Sequence, residues 1–195
     1  MKEQFIEIFN DQIKRPGADA LLAWLEKSGF FTAPASTRFH LSEPGGLVKH
    51  SVHVYERLRE LYSNELARNT DGPVILSDED EEKIAVCGLL HDICKVKFYD
   101  VEMRNRKNEQ GQWEKYPYYV VNDQLPYGHG EKSVYIISGF MKLTREEAMA
   151  IRWHMGFSDN DFKAGGFSVG NAFEKFPLAL LTHLADLQAT YLDEA

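Results

Sequence analysis

Apolar residues recur at helical spacing along most of this 195-residue chain. The one long exception runs from Val96 to Leu125, where they alternate. A chain patterned this way buries a continuous core as packed helices, with the alternating stretch set aside as a hairpin. Phe5, Ile8, Phe9 and Ile13 mark a first helix that Pro16-Gly17 breaks. Ala20 to Lys27 marks a second, with Gly29 placed for a left-handed C-cap. Residues 31–46 read as loop. A long helix follows from Leu47 to Ala67, with the stripe Leu47, Ser51, Val54, Leu58 and Leu61 and with His50 along one edge. Ser77 and Asp80 form a capping-box pattern opening a helix expected to reach about Ile93 or Lys95. Asn108 to Gly111 supplies the turn of the hairpin. Three further helices are predicted, over Glu131–Phe140, Thr144 to about Met155, and Phe176–Leu192. The expected fold is an all-α helical bundle with a small β-hairpin insertion around residues 97–121. It is read as one domain over 1–195, with N-terminal helices and loop to residue 46 and the functional core over 47–192.

Composition narrows the functional classes. Hydrophobic residues make up 44% and aromatics 12%, which excludes intrinsic disorder. A net charge of -8 argues against duplex nucleic acid and anionic membrane as partners. The N-terminal segment lacks an apolar signal core, because Glu3, Glu7 and Asp11 interrupt it. No run of about 18 apolar residues could span a bilayer. Two cysteines cannot form a disulfide framework, so a reducing, cytoplasmic setting is expected. Cys87 and Cys94, seven apart, are read as core residues on one helix face.

Histidine and aspartate placement carries the chemistry. His91 and Asp92 are adjacent in CGLLHDICK, and neighbouring helix positions point about 100° apart. Both serve one centre only if it lies in a cleft between helices. Gly88 leaves that face open to close approach, and Lys95 projects toward the same cleft. Taken alone, the pair is an ordinary helix-end salt bridge between Asp92 and Lys95. Further candidates change that reading: His50 on the long helix, His129 between two glycines, His154 near a helix end, and Asp186 inside an otherwise apolar helix. Asp is seldom buried unless it is paired or coordinates a metal. Imidazoles and carboxylates together suit a first-row divalent ion or a pair of them. Arg104, Arg106 and Lys107 lie near Trp113, Tyr116, Tyr118 and Tyr119 on the hairpin, a mixture able to clamp a base and a phosphate, though equally a charged hairpin with an aromatic packing face.

Taken in order, His50, His91-Asp92, His129, His154 and Asp186 resemble the H…HD…H…H…D pattern of the HD-domain metal-dependent phosphohydrolases. PGGLVKHSVHVYERL, HDICK and LADLQATY are similar to that superfamily's local contexts, with Cys94 standing where glycine is usual. The resemblance implies that His50, His91, Asp92 and Asp186 hold a core metal, and that His129 and His154, with Asp92 bridging, hold a second. It implies one or two divalent ions among Mn, Fe, Ni, Co, Zn and Mg. The resemblance makes Asp92 and Lys95 the catalytic pair, with Lys95 and His129 as substrate contacts; the hairpin's mixture of basic and aromatic residues adds Arg104 and Tyr119 to the expected contacts. His53 and His183 are expected to support the ligands from behind, and His40 either reaches the cleft mouth or is a solvated loop histidine. The implied activity is hydrolysis of a phosphate ester or phosphodiester in a nucleotide or similar small molecule by a metal-activated water. An iron-pair oxygenase on the same fold and an exonuclease or cyclic-dinucleotide phosphodiesterase are the alternatives.

Overall fold

The computed structural model describes residues 1–68, 71–159 and 166–194. It is mostly helical, with one two-stranded antiparallel sheet. The helices are α1 (Lys2–Gln12), α2 (Ala18–Ser28), α3 (Gly46–Arg68), α4 (Asp78–Leu90), α5 (His129–Ser138), α6 (Arg145–Arg152), α7 (Ser168–Lys175) and α8 (Pro177–Gln188). The strands are β1 (Tyr99–Lys107) and β2 (Trp113–Val121). Among the described residues, no helix is long and apolar enough to cross a membrane.

Local chemistry sets most helix ends. Ser77 and Asp80 close a reciprocal capping box on α4, and Thr144 and Glu147 do the same on α6. Gly29 closes α2 in the left-handed conformation that the pattern demands, at φ 91°. Leu47, Val52 and Leu58 from α3 pack with Ile84 and Leu89 from α4, Ile137 from α5, Ile151 from α6 and Leu178 from α8 in one core. Arg15, in the link between α1 and α2, adds a polar tie. Its guanidinium donates to both carboxylate oxygens of the buried Glu147 at 2.8 and 2.7 Å.

Two expectations need correction. First, α4 stops at Leu90 instead of reaching Ile93 or Lys95; His91 and Asp92 form a turn and Ile93–Lys95 a 3-10 turn. The apolar run continues through the break, so periodicity gives no sign of it. Cys94 therefore does not share a helix face with Cys87. Second, the pattern gives no warning of α7, a short helix next to a longer one. His50, along the edge of the α3 stripe, is buried. The hairpin pairs Tyr99 with Val121 through to Lys107 with Trp113, around a turn where Asn108 N–H donates to Gln112 O at 2.9 Å. Its side chains are mostly exposed, so it stands out from the helical core.

Candidate metal centre

Two close backbone approaches bring the histidines together. A Cβ on Gly88 would lie 2.5 Å from Tyr55 Cα, so only glycine lets α4 lie this near α3. That contact sets His91, just past the end of α4, against His50 on α3. Gly130 plays the same part between α5 and α6, where a Cβ would meet the Arg152 carbonyl oxygen at 2.1 Å. His129 precedes this glycine and His154 follows Arg152 by two, so their rings end 5.1 Å apart. The turn after α4 then aims both His91 and Asp92 at one point, which a continued helix would not do.

Asp92 divides its two oxygens between two sets of ligands. Oδ2 lies 3.6 Å from His50 Nε2 and 3.5 Å from His91 Nε2. His50 Nε2 is also 3.2 Å from His91 Nε2 and 3.2 Å from Asp186 Oδ1, completing an inner set. Oδ1 faces an outer set, 2.7 Å from His129 Nε2 and 3.4 Å from His154 Nε2. Donor atoms bound about 2.0–2.1 Å from one ion lie about 3.0–3.4 Å apart, so the inner spacings are near those of a coordination shell. His154 Nε2 is buried, points at Asp92 and has no hydrogen-bond partner among the described residues, a group that an ion would satisfy. The donor set fits a divalent metal.

The far side of each ring is fixed as metal-bound imidazoles require. His91 Nδ1–H donates to Gly88 O at 2.9 Å, and His154 Nδ1–H donates to Ile151 O at 2.6 Å. His50 Nδ1–H donates to the Glu194 carboxylate at 3.1 Å, and His53 Nδ1–H reaches the same carboxylate at 2.9 Å. His183 Nδ1–H donates to the His154 carbonyl at 2.7 Å, so His53 and His183 touch what the ligands touch.

Charge in the site follows burial and neighbours. Burial opposes ionisation of Asp92, but the Lys95 ammonium, 2.6 Å away, and the imidazoles hold its carboxyl well below the usual range. Asp186 is likewise held low against burial by His50. His50 rises to about 9, because Asp186 and Glu194 outweigh its desolvation. His91 and His129 are pushed down, chiefly by burial. Without metal, His50 thus keeps a proton that a metal held by His50 and Asp186 would displace.

A cavity of about 640 Å³ opens on this centre. Asp92, Lys95, Asp186 and His183 form its polar part, and Phe39, Leu41, Met155, Leu187 and Tyr191 its apolar wall. His40 lines it too, its Nε2 buried without a hydrogen bond and its ring 5.0 Å from that of His50. A separate cavity of about 700 Å³ between α5, α6 and α7 contains none of the clustered histidines.

His50, His91, Asp92, His129, His154, Asp186 and Lys95 are thus brought together. Arg104 and Tyr119 are not among the residues lining the cavity on this centre. Arg104 lies 3.8 Å over the Tyr118 ring, and Tyr119 lines a different groove against Arg38 and Pro44. The hairpin pairs its aromatic and basic residues with each other. Sequence reasoning misses Glu194 altogether. Its one signal is its place eight residues beyond Asp186, blurred because the π-helical turn Ala189–Asp193 intervenes. Cys94 reads as core in the sequence, yet its Sγ lies 3.4 Å from His129 Nδ1.

Comparison with protein-family models matches the HD domain over residues 47–187. The chain belongs to the HD-domain family. HD domains belong to a superfamily of metal-dependent phosphohydrolases and bind divalent metals. The matched span holds every residue of the inner and outer sets, while Glu194 lies beyond it. No curated protein and no solved structure matches this HD-domain chain.

Proposed function

We propose that the chain is a metal-dependent phosphohydrolase, cleaving a phosphate ester or phosphodiester of a nucleotide or similar small molecule. The observation that carries this reading is the Asp92 carboxylate, shared between two imidazole sets with the Lys95 ammonium against it at the floor of a cavity. A divalent ion held there supplies a water nucleophile at neutral pH and screens the phosphate charge. Lys95 lines the cavity and carries a fixed positive charge for a phosphoryl oxygen. Asp92 keeps that ammonium in place, and His129 offers a ring nitrogen on the outer side. The apolar wall of Phe39, Leu41, Met155, Leu187 and Tyr191 suits the organic part of a small phosphorylated molecule, and a cavity of this size lies within the usual ligand range. A net charge of -8 keeps a long polyanion such as duplex DNA outside the reading.

The test is metal analysis with product release from a panel of nucleoside phosphates, phosphomonoesters and cyclic dinucleotides. We expect metal-dependent turnover of at least one member, abolished by chelator and by Asp92→Ala. Unchanged metal content in Asp92→Ala would overturn the site, and a fully loaded protein that turns over nothing would overturn the activity.

A further inference from the structure

The outer set contains a group that the two-imidazole arrangement does not need. Cys94 is 3% exposed, and its thiol faces His129 at 3.4 Å from Nδ1 and 3.8 Å from Nε2. One donor atom each from Asp92, Cys94 and His129 lie within 4.8 Å of one another. A sulfur about 2.3 Å and a nitrogen about 2.05 Å from one ion are about 3.1–3.6 Å apart; the thiol lies 3.8 Å from Nε2, the nitrogen that faces Asp92, a little beyond that span. The placement is built and not incidental. Cys94 N–H donates to Ser133 Oγ at 3.2 Å, and Ser133 lies one helical turn after His129 on α5. The same hydrogen bond thus ties the cysteine backbone to the helix that presents the histidine. His154 Nε2, buried and with no hydrogen-bond partner among the described residues, points at the same Asp92 oxygen.

We propose that Cys94 is a ligand of the outer metal position, giving it a mixed nitrogen, oxygen and sulfur set selective for thiophilic divalent ions. The inner position, with imidazoles and carboxylates alone, lacks this preference. The thiol proton leaves to solvent as the sulfur–metal bond forms, and nothing is oxidised or reduced. Thiolate favours Zn²⁺ or Co²⁺, whereas Mg²⁺ takes oxygen ligands and gains little from sulfur. The inference rests on the metal centre in the proposed function and adds the identity of one ligand to it.

The experiment is anaerobic titration of the metal-free, reduced protein with Co²⁺, read by absorption. A sulfur-to-cobalt charge-transfer band in the near ultraviolet is expected as the outer position fills. It should be lost in Cys94→Ser and Cys94→Ala and kept in Cys87→Ser, whose thiol lies in the core. Excess Mg²⁺ should not displace the ion that gives the band. Co²⁺ binding without this band in the wild type overturns the proposal and leaves the inner centre standing. So does a band that survives in folded Cys94→Ser, with folding checked by circular dichroism. Absence of Co²⁺ binding altogether overturns both this proposal and the proposed function.

Discussion

At the scale of single residues, the centre depends on one carboxylate used twice. Asp92 gives one oxygen to His50 and His91 and the other to His129 and His154. Asp92→Asn keeps the shape but removes the charge that both sets share. We expect it to lower metal content by more than half and abolish turnover; retention of full metal content, measured by elemental analysis, would contradict the shared role. Glu194 acts at one remove, through His50 Nδ1. Glu194→Gln should weaken metal affinity by about 10–100-fold, the usual cost of losing a carboxylate behind a metal-bound imidazole. Competition with a chelator of known affinity measures it, and an unchanged constant would show that His50 orients itself. The direct candidates are legible because imidazoles and carboxylates in apolar helices are chemically out of place. Glu194 is not, since an acidic residue beyond a helix end looks like any solvated charge.

At the scale of elements, what matters most is where a helix stops and how near its neighbour comes. Periodicity locates the helices and the hairpin, because burial of an apolar face dictates both. The end of α4 at Leu90 is invisible to it, since Ile93 and Cys94 are as buried as the residues before them. Gly88 is legible as an open face, but periodicity cannot say that α3 backbone fills the space. Gly88→Val should force α3 and α4 apart at Tyr55 and cost about 1–3 kcal/mol, as overpacking does. Denaturant unfolding would read this, together with lower metal content as His91 withdraws from His50. A variant as stable as the wild type would mean that the contact yields freely. The hairpin makes the opposite case. Arg104 is satisfied by Tyr118 away from the cavity. Arg104→Ala should leave turnover within about twofold, since an exposed substitution of this kind shifts energies by roughly 0.5 kcal/mol or less. A tenfold loss would return the hairpin to the substrate site.

At the scale of the molecule, the proton on His50 and the metal compete for one place, and this couples folding to pH. The pKa of His50 is raised from 6.5 to about 9 in the fold. Its contribution to stability is therefore fully present below about pH 6.5 and is lost as pH climbs through 9. His154 is also raised and acts with the same sign. His91 and His129 are lowered, so their effect falls below pH 6.5, outside this window. Asp92 and Asp186 are held low and stay ionised throughout it. Metal-free protein should thus lose stability between pH 6.5 and 9, with His50 alone accounting for up to about 3 kcal/mol, since a tenfold gain in proton affinity is worth about 1.4 kcal/mol. Saturating metal removes the slope that His50 contributes, because an ion takes the place of its proton and the loaded fold no longer binds that proton. An ion at a hundred times its dissociation constant adds about 2.7 kcal/mol, so the loaded and metal-free curves should diverge with increasing pH. Thermal unfolding with chelator and with Co²⁺, from pH 6.5 to 9, tests this directly. His50→Gln should flatten the metal-free slope, and a wild-type slope that is flat or rising would mean that His50 is not the protonated partner of Asp186.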